Sequence, residues 1–474
     1  MFENFINRET ELKTLNDEYY NGRTGSFVVI YGRRRTGKTT LIKKFIEDKD
    51  GVYFLADMQN EKLQLERFKE ILSLKYGDDS LKYVEINKWD FIFDYIISKL
   101  SPAAFGDTPD KTNNKHVNKH VIVIDEFQYL SGINAAIASI FQRLWDEKLK
   151  DKNVMLILCG SLVSLMYSLT LNYSSPLYGR RTAQINLKSL SFLNIKHFLK
   201  NKNADELLQY YSIFGGIPKY LELINPDLDI FENVKKIILS KDAFLYNEPL
   251  FLLKDEINEI SSYFSILRVI SQGDNKIGNI AAKLGLRTNN LTFFMEKLIE
   301  LEIIERKVPV TEENPSKSKK GLYFIRDNFF KFWFRYVLPN QVYLETDNYE
   351  PVLIKIKETF NQYVSFIFED AAQEILIKED LPFDIIKSGR WWDKNDEIDI
   401  IACGKNEILF GECKYWNDPA GLNVITELQR KSEKVNYPAK ERYYAVFSKS
   451  GFTEELLNIA EKNQKIRLYD LRDF

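Results

Sequence analysis

The chain has 474 residues, 45% of them hydrophobic and 14% aromatic, which is enough to bury several cores and too much for global disorder. A formal net charge of −2 supplies no overall basicity, so any nucleic-acid surface has to be local. No run approaches the length of a membrane span and Met1 to Thr10 lacks an apolar signal core, so a soluble, cytoplasmic protein with no membrane partner is expected.

In chain order, the first strong pattern is Phe27-Val28-Val29-Ile30-Tyr31, a buried strand. Gly32-Arg33-Arg34-Arg35-Thr36-Gly37-Lys38-Thr39 follows and fits G-x-x-x-x-G-K-[ST]. Thr40 to Asp48 then places apolar residues at helical spacing. Strand, glycine-containing loop and helix stand in the order that phosphate binding requires. Glycines let backbone N–H groups approach the phosphates, and the helix N-terminus adds the positive end of its dipole. Gly32, Arg33, Arg34, Arg35, Thr36, Gly37, Lys38, Thr39 and Thr40 are therefore the candidate residues for ATP or ADP. Lys38 is expected at the β- and γ-phosphates and the Thr39 hydroxyl on Mg²⁺.

A second strand is expected near residues 51–56. The polar stretch Thr108 to Lys119 reads as an exposed insertion; His116 and His120 are assigned to it, and with His197 alone elsewhere the histidines make no metal site. Val121-Ile122-Val123-Ile124 is a buried strand ending in Asp125 and Glu126, at the end of an α/β sheet where ligands collect. Asp125 is expected to hold Mg²⁺ through water, and Glu126 to orient and polarise the attacking water. Val154 to Cys159 is a further strand, followed by Gly160 and Ser161; Ser161 either senses the γ-phosphate or caps the next helix. Tyr178-Gly179-Arg180-Arg181 offers two guanidiniums, with Arg180 a candidate catalytic charge and a plain surface pair the alternative. A strand near 183–188 completes an alternation that implies a parallel sheet covered on both faces over residues 1–190. Cys159, Cys403 and Cys413 are scattered and read as reduced, buried residues.

Residues 191–255 show helical patterns broken at Gly215-Gly216-Ile217-Pro218, as in a helical lid. From 256 to 325 the pattern becomes helix (Tyr263 to Ile270), helix (Ile277 to Leu284), a turn, helix (Asn290 to Leu301) and a wing strand (Ile303 to Val308), a winged helix-turn-helix. Its third helix is polar rather than basic, which leaves DNA contact and a structural or protein-docking role both open. Tyr323 to Val337 is crowded with aromatics and reads as a buried connecting helix, within a connector assigned to 326–350. In the last domain, 351–474, Phe360 to Ile377 is a helix containing Glu369, and strands are expected at Phe383 to Ser388, Glu397 to Ala402 and Ile408 to Lys414. Pairing the last two as a hairpin brings Asp399 beside Glu412, an oxygen-rich pocket for Mg²⁺ or Mn²⁺. Lys414, on the face of Glu412, is then placed to position water or to offset charge on a phosphate. Ordinary acids on a half-exposed sheet are the alternative.

Taken together, the opening Phe5-Ile6-Asn7-Arg8-Glu9-Thr10-Glu11-Leu12, the phosphate loop, Asp125-Glu126, Cys159-Gly160-Ser161, Leu177-Tyr178-Gly179-Arg180 and Gly215-Gly216-Ile217-Pro218 resemble the archaeal-type ATPase family, related to AAA+ and STAND NTPases. The resemblance implies that Arg8 lies close to the adenine and that Gly216 and Pro218 of the lid face the nucleotide. Asn7 departs from the family's usual glycine, and asparagine tolerates the left-handed turn. The C-terminal domain is similar to the PD-(D/E)XK nuclease superfamily, which places Glu369, Asp399 and Glu412 as metal ligands and Lys414 as a catalytic residue. The expected fold is thus a multidomain α/β protein: a P-loop NTPase sheet, helical lid, winged helix-turn-helix and a restriction-endonuclease-like domain. The function expected is an ATPase whose nucleotide state controls a metal-dependent nuclease-like domain, with DNA as candidate substrate. The alternatives are a non-nucleolytic ATP-dependent DNA-binding regulator and a STAND-like scaffold that oligomerises on ATP.

Overall fold

The computed structural model describes residues 5–22, 24–100, 118–257 and 259–473, and the chain divides into two units, Met1–Ser189 and Leu190–Phe474. In the first unit, β1 (Ser26–Tyr31), β2 (Gly51–Leu55), β3 (His120–Asp125), β4 (Val154–Gly160) and β5 (Ala183–Asn186) form one all-parallel sheet in the order β2-β3-β4-β1-β5. Strands β1, β3 and β4 are buried along their whole length, which is why they read as unbroken apolar runs. Alternation divides β1 between two cores. Val28 and Ile30 pack with Leu15 and Tyr19 of α1 (Glu9–Tyr20) and with Leu41, Ile42 and Phe45 of α2 (Lys38–Ile46). Phe27 and Val29 pack on the other side with α3 (Glu61–Tyr76), α4 (Trp89–Ser98) and α6 (Ile137–Leu144). The short helices α5 (Gln128–Ile133) and α7 (Val163–Met166) follow β3 and β4.

The expectation for His120 needs correction. It opens β3, buried, with Nδ1 2.8 Å from Asp50 Oδ2 and its ring stacked on Tyr76. Burial holds its pKa below the ordinary value. His116 and most of the Thr108–Lys119 stretch lie outside the described residues.

The second unit begins with helices α8 (Ala204–Phe214), α9 (Pro218–Leu221), α10 (Ile230–Val234) and α11 (Glu248–Glu256). At the start of the helical pattern expected over 191–255 stands only a 3₁₀ stretch, Phe192–His197. Helices α12 (Ser261–Ser271), α13 (Ile277–Leu284) and α14 (Thr288–Glu300) precede an antiparallel pair, β6 (Ile304–Lys307) with β7 (Leu322–Ile325). Tyr323 and Phe324 therefore belong to a strand rather than to the aromatic helix, which starts at α15 (Asn328–Phe332) and continues as a π-helix to Val337. After α16 (Gln341–Glu345), the 29-residue α17 (Glu350–Lys378) runs into a mixed sheet.

That sheet has the order β12-β11-β10-β9-β8, with β8 (Lys387–Trp392), β9 (Glu397–Cys403) and β10 (Glu407–Lys414) antiparallel. Strands β11 (Glu441–Ser448) and β12 (Ile466–Asp470) run parallel to β10. The strand expected at 383–388 starts only at Lys387, and it runs on to Trp392 because Lys387, Ser388, Gly389, Trp391 and Trp392 are the residues that pair with β9. Ile400, Ala402 and Leu409 share a core with α17, and Ile401, Ile408 and Phe410 one with α18 (Leu422–Ser432), so the sheet is covered on both faces. Helix α19 (Glu454–Lys462) packs beside β12.

Candidate nucleotide and metal sites

Strand β1 ends at Tyr31 and the chain turns at once into the glycine-containing loop. Gly32 has φ +147°, and a Cβ there would lie 2.4 Å from the Leu187 carbonyl oxygen, so no other residue fits. Gly37, at φ +94°, is the left-handed residue immediately before α2. Arg35 is also left-handed, at φ +68°, a conformation that costs energy and clusters at binding sites. Lys38 is only 5% exposed, and its Nζ donates to the carbonyl oxygens of Gly32 and Arg33, both at 2.8 Å. Burial lowers its pKa, with Glu126 and Asp125 among the groups that oppose the shift. Within the same loop, the Thr36 hydroxyl donates to the Arg33 carbonyl and Arg34 Nη2 to the Tyr129 hydroxyl at 3.1 Å. Thr40 is exposed on the first turn of α2.

Arg8 is a brace for this loop. Its Nη2 donates to the carbonyls of Thr36 at 3.0 Å and Lys188 at 2.9 Å, and its Nη1 pairs with Glu11 at 3.3 Å. Asn7, just before it, has φ +47°, the left-handed turn expected where the family has glycine.

The expected magnesium pair meets in the structure. Thr39 Oγ1 donates to Asp125 Oδ2 at 2.9 Å, and the same oxygen accepts from the Tyr53 hydroxyl at 2.6 Å. Asp125 Oδ1 accepts the N–H of Glu126 at 2.9 Å. A carboxylate and a hydroxyl at a phosphate loop are hard oxygen donors, few in number, as Mg²⁺ prefers. Tyr53 had no sequence motif to reveal it; it comes from β2, whose register sets Leu55 beside Asp125. Burial, and then the neighbouring carboxylate, hold its proton on by raising its pKa.

Glu126 sits at φ +54°, a strained backbone for a non-glycine residue. Its Oε2 accepts from Ser161 Oγ at 2.8 Å and from Gln128 Nε2. Gln128 also reaches Ser161 Oγ, at 3.3 Å. Ser161 is thus engaged with Glu126; helix α7 has Leu162 at its N-cap instead. Arg180 pairs with Asp146 Oδ2 through Nη2 at 3.0 Å, which accounts for its charge within its own unit. Gly216 and Pro218 belong to the second unit. A Cβ on Gly216 would lie 1.8 Å from the Leu190 carbonyl oxygen, and Pro218 opens α9.

In the C-terminal sheet the last registered pair of β9 and β10 is Ile400 with Gly411, so Asp399 and Glu412 come next and share a face. Asp399 Oδ2 accepts from the Cys413 N–H at 2.8 Å. Lys414 Nζ lies 2.8 Å from Glu412 Oε1, and Lys431 of α18 lies 3.2 Å from both Glu412 oxygens. Glu369 of α17 pairs with Arg390 of β8 at 2.5 Å. Burial, reinforced by Glu412, raises the Asp399 pKa to about 6. Burial also raises that of Glu369, with Arg390 pulling the other way and Asp399 adding to the rise. Burial works against the Lys414 ammonium, but Glu412 more than offsets it and its pKa is raised.

Among the described residues, no three or more acids, histidines or cysteines are gathered as a metal shell. Positive charge beside these carboxylates comes from Arg390 on Glu369 and from Lys414 and Lys431 on Glu412. Arg390 and Lys431 lie far from the acids in sequence, and only Gly389-Arg390-Trp391-Trp392 stood out there.

Residues 5–224 match an ATPase domain found predominantly in Archaea, and residues 333–433 match a family of archaeal and bacterial proteins of unknown function. The chain is 37% identical to an uncharacterised protein of Methanocaldococcus jannaschii, over 99% of this chain and 100% of that one. A shorter, uncharacterised ATP-binding protein of the same organism is 49% identical over 45 residues, 10% of this chain and 75% of that one. Among solved structures, the Walker-type ATPase PABY2304 of Pyrococcus abyssi is similar at 22% identity and TM-score 0.48, over 70% of this chain and 97% of that one. The ORC2 protein of Aeropyrum pernix is similar at 13% identity and TM-score 0.42, over 73% and 97%. No helix among the described residues is long and apolar enough to cross a membrane. With the full-length relative and the matched ATPase domain joined to the loop and acids described above, the chain belongs to the archaeal-type ATPase family and is a P-loop ATPase that binds ATP.

Proposed function

We propose that ATP hydrolysis in the first unit controls a metal-dependent nuclease-like site in the second, acting on DNA. At the nucleotide site, Thr39 and Asp125 are the residues that would hold Mg²⁺, which would supply charge neutralisation for phosphoryl transfer. Lys38 leaves the carbonyls of Gly32 and Arg33 to meet the phosphates. Glu126, released from Ser161 and Gln128, takes the proton of the attacking water as the terminal phosphate bond breaks. The hydrogen bonds from Ser161 and Gln128 support a resting state in which that base is engaged elsewhere.

The single observation that carries the nuclease reading is the placement of Asp399, Glu412 and Lys414 on one face of a mixed sheet, with Glu369 beside them. Asp399, Glu412 and Glu369 are the residues to hold Mg²⁺ or Mn²⁺, which would supply an activated water. Lys414, kept protonated by Glu412, offsets negative charge developing on the phosphodiester rather than acting as a base. The helices α12–α14 with the β6–β7 pair support a winged-helix module as the DNA-facing element.

The test is incubation with Mg²⁺ or Mn²⁺, with and without ATP, on supercoiled, linear, branched and single-stranded DNA. Cleavage by the wild type and none by Asp399→Ala supports the nuclease, and loss of ATP dependence in Lys38→Ala supports the control. A second reading, a switch that binds DNA without cutting it, is favoured by the ion pairs that occupy Glu369 and Glu412. Tight DNA binding with no cleavage under any of these conditions would decide for it.

A further inference from the structure

Next to the carboxylate cluster, the second unit contains a half-open cavity of about 150 Å³, between α12, the β6–β7 pair, the aromatic segment after Asn328, α17 and β8. Its apolar lining comes from Ile270, Phe324, Tyr363, Phe366 and Ile367. Its polar lining is charged: Lys307, Lys331, Arg335 and Arg390 against Glu305 and Asp370.

Pairing leaves an excess of positive charge. Lys307 lies 3.0 Å from Glu305 and 3.1 Å from Asp370, and Arg390 is taken by Glu369 at 2.5 Å. Lys331 bonds the neutral Asn328 side chain at 3.1 Å and stands 3.6 Å from Asp370. Arg335 forms no ion pair with any described residue; its guanidinium lies over the rings of Tyr336 and Tyr363, 5.5 and 5.9 Å from their centres. Arg335 lines the cavity with a guanidinium that lies close to these rings and carries five N–H donors. A cation without a carboxylate, beside an apolar lining, is complementary to a ligand that combines an anionic group with a flat apolar body. The size sets a limit, since a cavity of about 150 Å³ holds a single benzene ring.

We propose that this cavity binds a small organic anion of single-ring size, an aryl carboxylate or an aryl phosphate monoester. The anionic group meets Arg335 and Lys331, and the ring lies on Phe324 and Tyr363. Because Arg390 belongs both to this lining and to the pair with Glu369, occupancy is linked to the carboxylate cluster; that link rests on the metal reading given above.

The experiment is calorimetric titration of the full chain with phenyl phosphate and with benzoate, with phenol and inorganic phosphate as partial ligands. The expected result is saturable one-site binding of at least one aryl anion in the millimolar range or tighter, and weaker binding of phenol and phosphate. Arg335→Gln is expected to weaken it about tenfold or more by removing a charge-assisted contact. Ser271→Trp, which adds bulk to the lining without altering a charged residue, is expected to weaken it as well. Both variants should keep the wild-type response to ATP and the wild-type unfolding temperature. Absence of saturable binding by either aryl anion overturns the proposal, as does binding that survives both substitutions or is equally strong for phenol. A Mn²⁺ titration in the presence of the bound anion reads the link separately. Unchanged Mn²⁺ affinity refutes the link and leaves the pocket standing, whereas no Mn²⁺ binding at all refutes the metal reading.

Discussion

Replacing Lys38 by alanine separates phosphate binding from loop integrity. Without nucleotide, the Lys38 ammonium is buried against the carbonyls of Gly32 and Arg33, so two hydrogen bonds and one desolvated charge disappear together. The lost hydrogen bonds and the relieved burial of charge oppose each other, so the ATP-free unfolding temperature should move little. With nucleotide the balance is one-sided. A charge-assisted contact to phosphate contributes about 1.5–3 kcal/mol. Its loss weakens ATP binding roughly 10- to 150-fold. At an ATP concentration of about 100 times the wild-type Kd, ligand stabilisation is about 2.7 kcal/mol, and for a variant weakened about 100-fold it falls to about 0.4 kcal/mol. Thermal unfolding with and without ATP and Mg²⁺, checked by titration with a fluorescent ATP analogue, measures this directly. An ATP-induced shift equal to that of the wild type would refute the phosphate-contact role of Lys38. A large fall in the ATP-free unfolding temperature would instead show that the lysine is needed to build the loop.

The remaining predictions address single contacts. Glu126→Gln is expected to keep the ATP-induced shift and to lose about 100-fold or more in steady-state hydrolysis; wild-type turnover would end its assignment as the base. Tyr53→Phe removes a 2.6 Å hydrogen bond to Asp125 and should raise the Mg²⁺ concentration needed for half-maximal hydrolysis. An unchanged Mg²⁺ curve would make Tyr53 merely a packing residue. Asp399→Asn carries a pH signature. The wild-type carboxyl titrates near 6 in the folded chain, above its ordinary value, so the stability its proton supplies is complete below the unfolded value and is lost as pH rises through about 6. In the presence of a chelator, the variant should gain stability relative to wild type as pH rises between about 4 and about 6. A constant difference in denaturation midpoint across that range would remove the burial argument.

Local pattern by itself determined the nucleotide-binding half of this protein. The strand Phe27 to Tyr31, the loop Gly32 to Thr39 and the helix after it are contiguous, and their geometry follows from glycine freedom and helix periodicity within one short segment. Asp125 and Glu126 were legible for the same reason, as charges at the end of an apolar run. The pairing of Asp399 with Glu412 was also accessible, because a hairpin's register follows from alternation along two neighbouring strands.

Contacts between distant segments were a different matter. Tyr53 reaches Asp125 because β2 lies beside β3, 72 residues away in the chain. Ser161 meets Glu126 across adjacent strands, and Lys431 and Arg390 come to Glu412 and Glu369 from separate elements. The strand at Tyr323 and Phe324 exists because Glu305 and Arg306 pair with them, although their own neighbours favour an aromatic helix. Sequence order states which donors and charges are present; only the packed sheets decide which of them face one another, because hydrogen bonds and ion pairs act over a few ångströms of space and not along the chain.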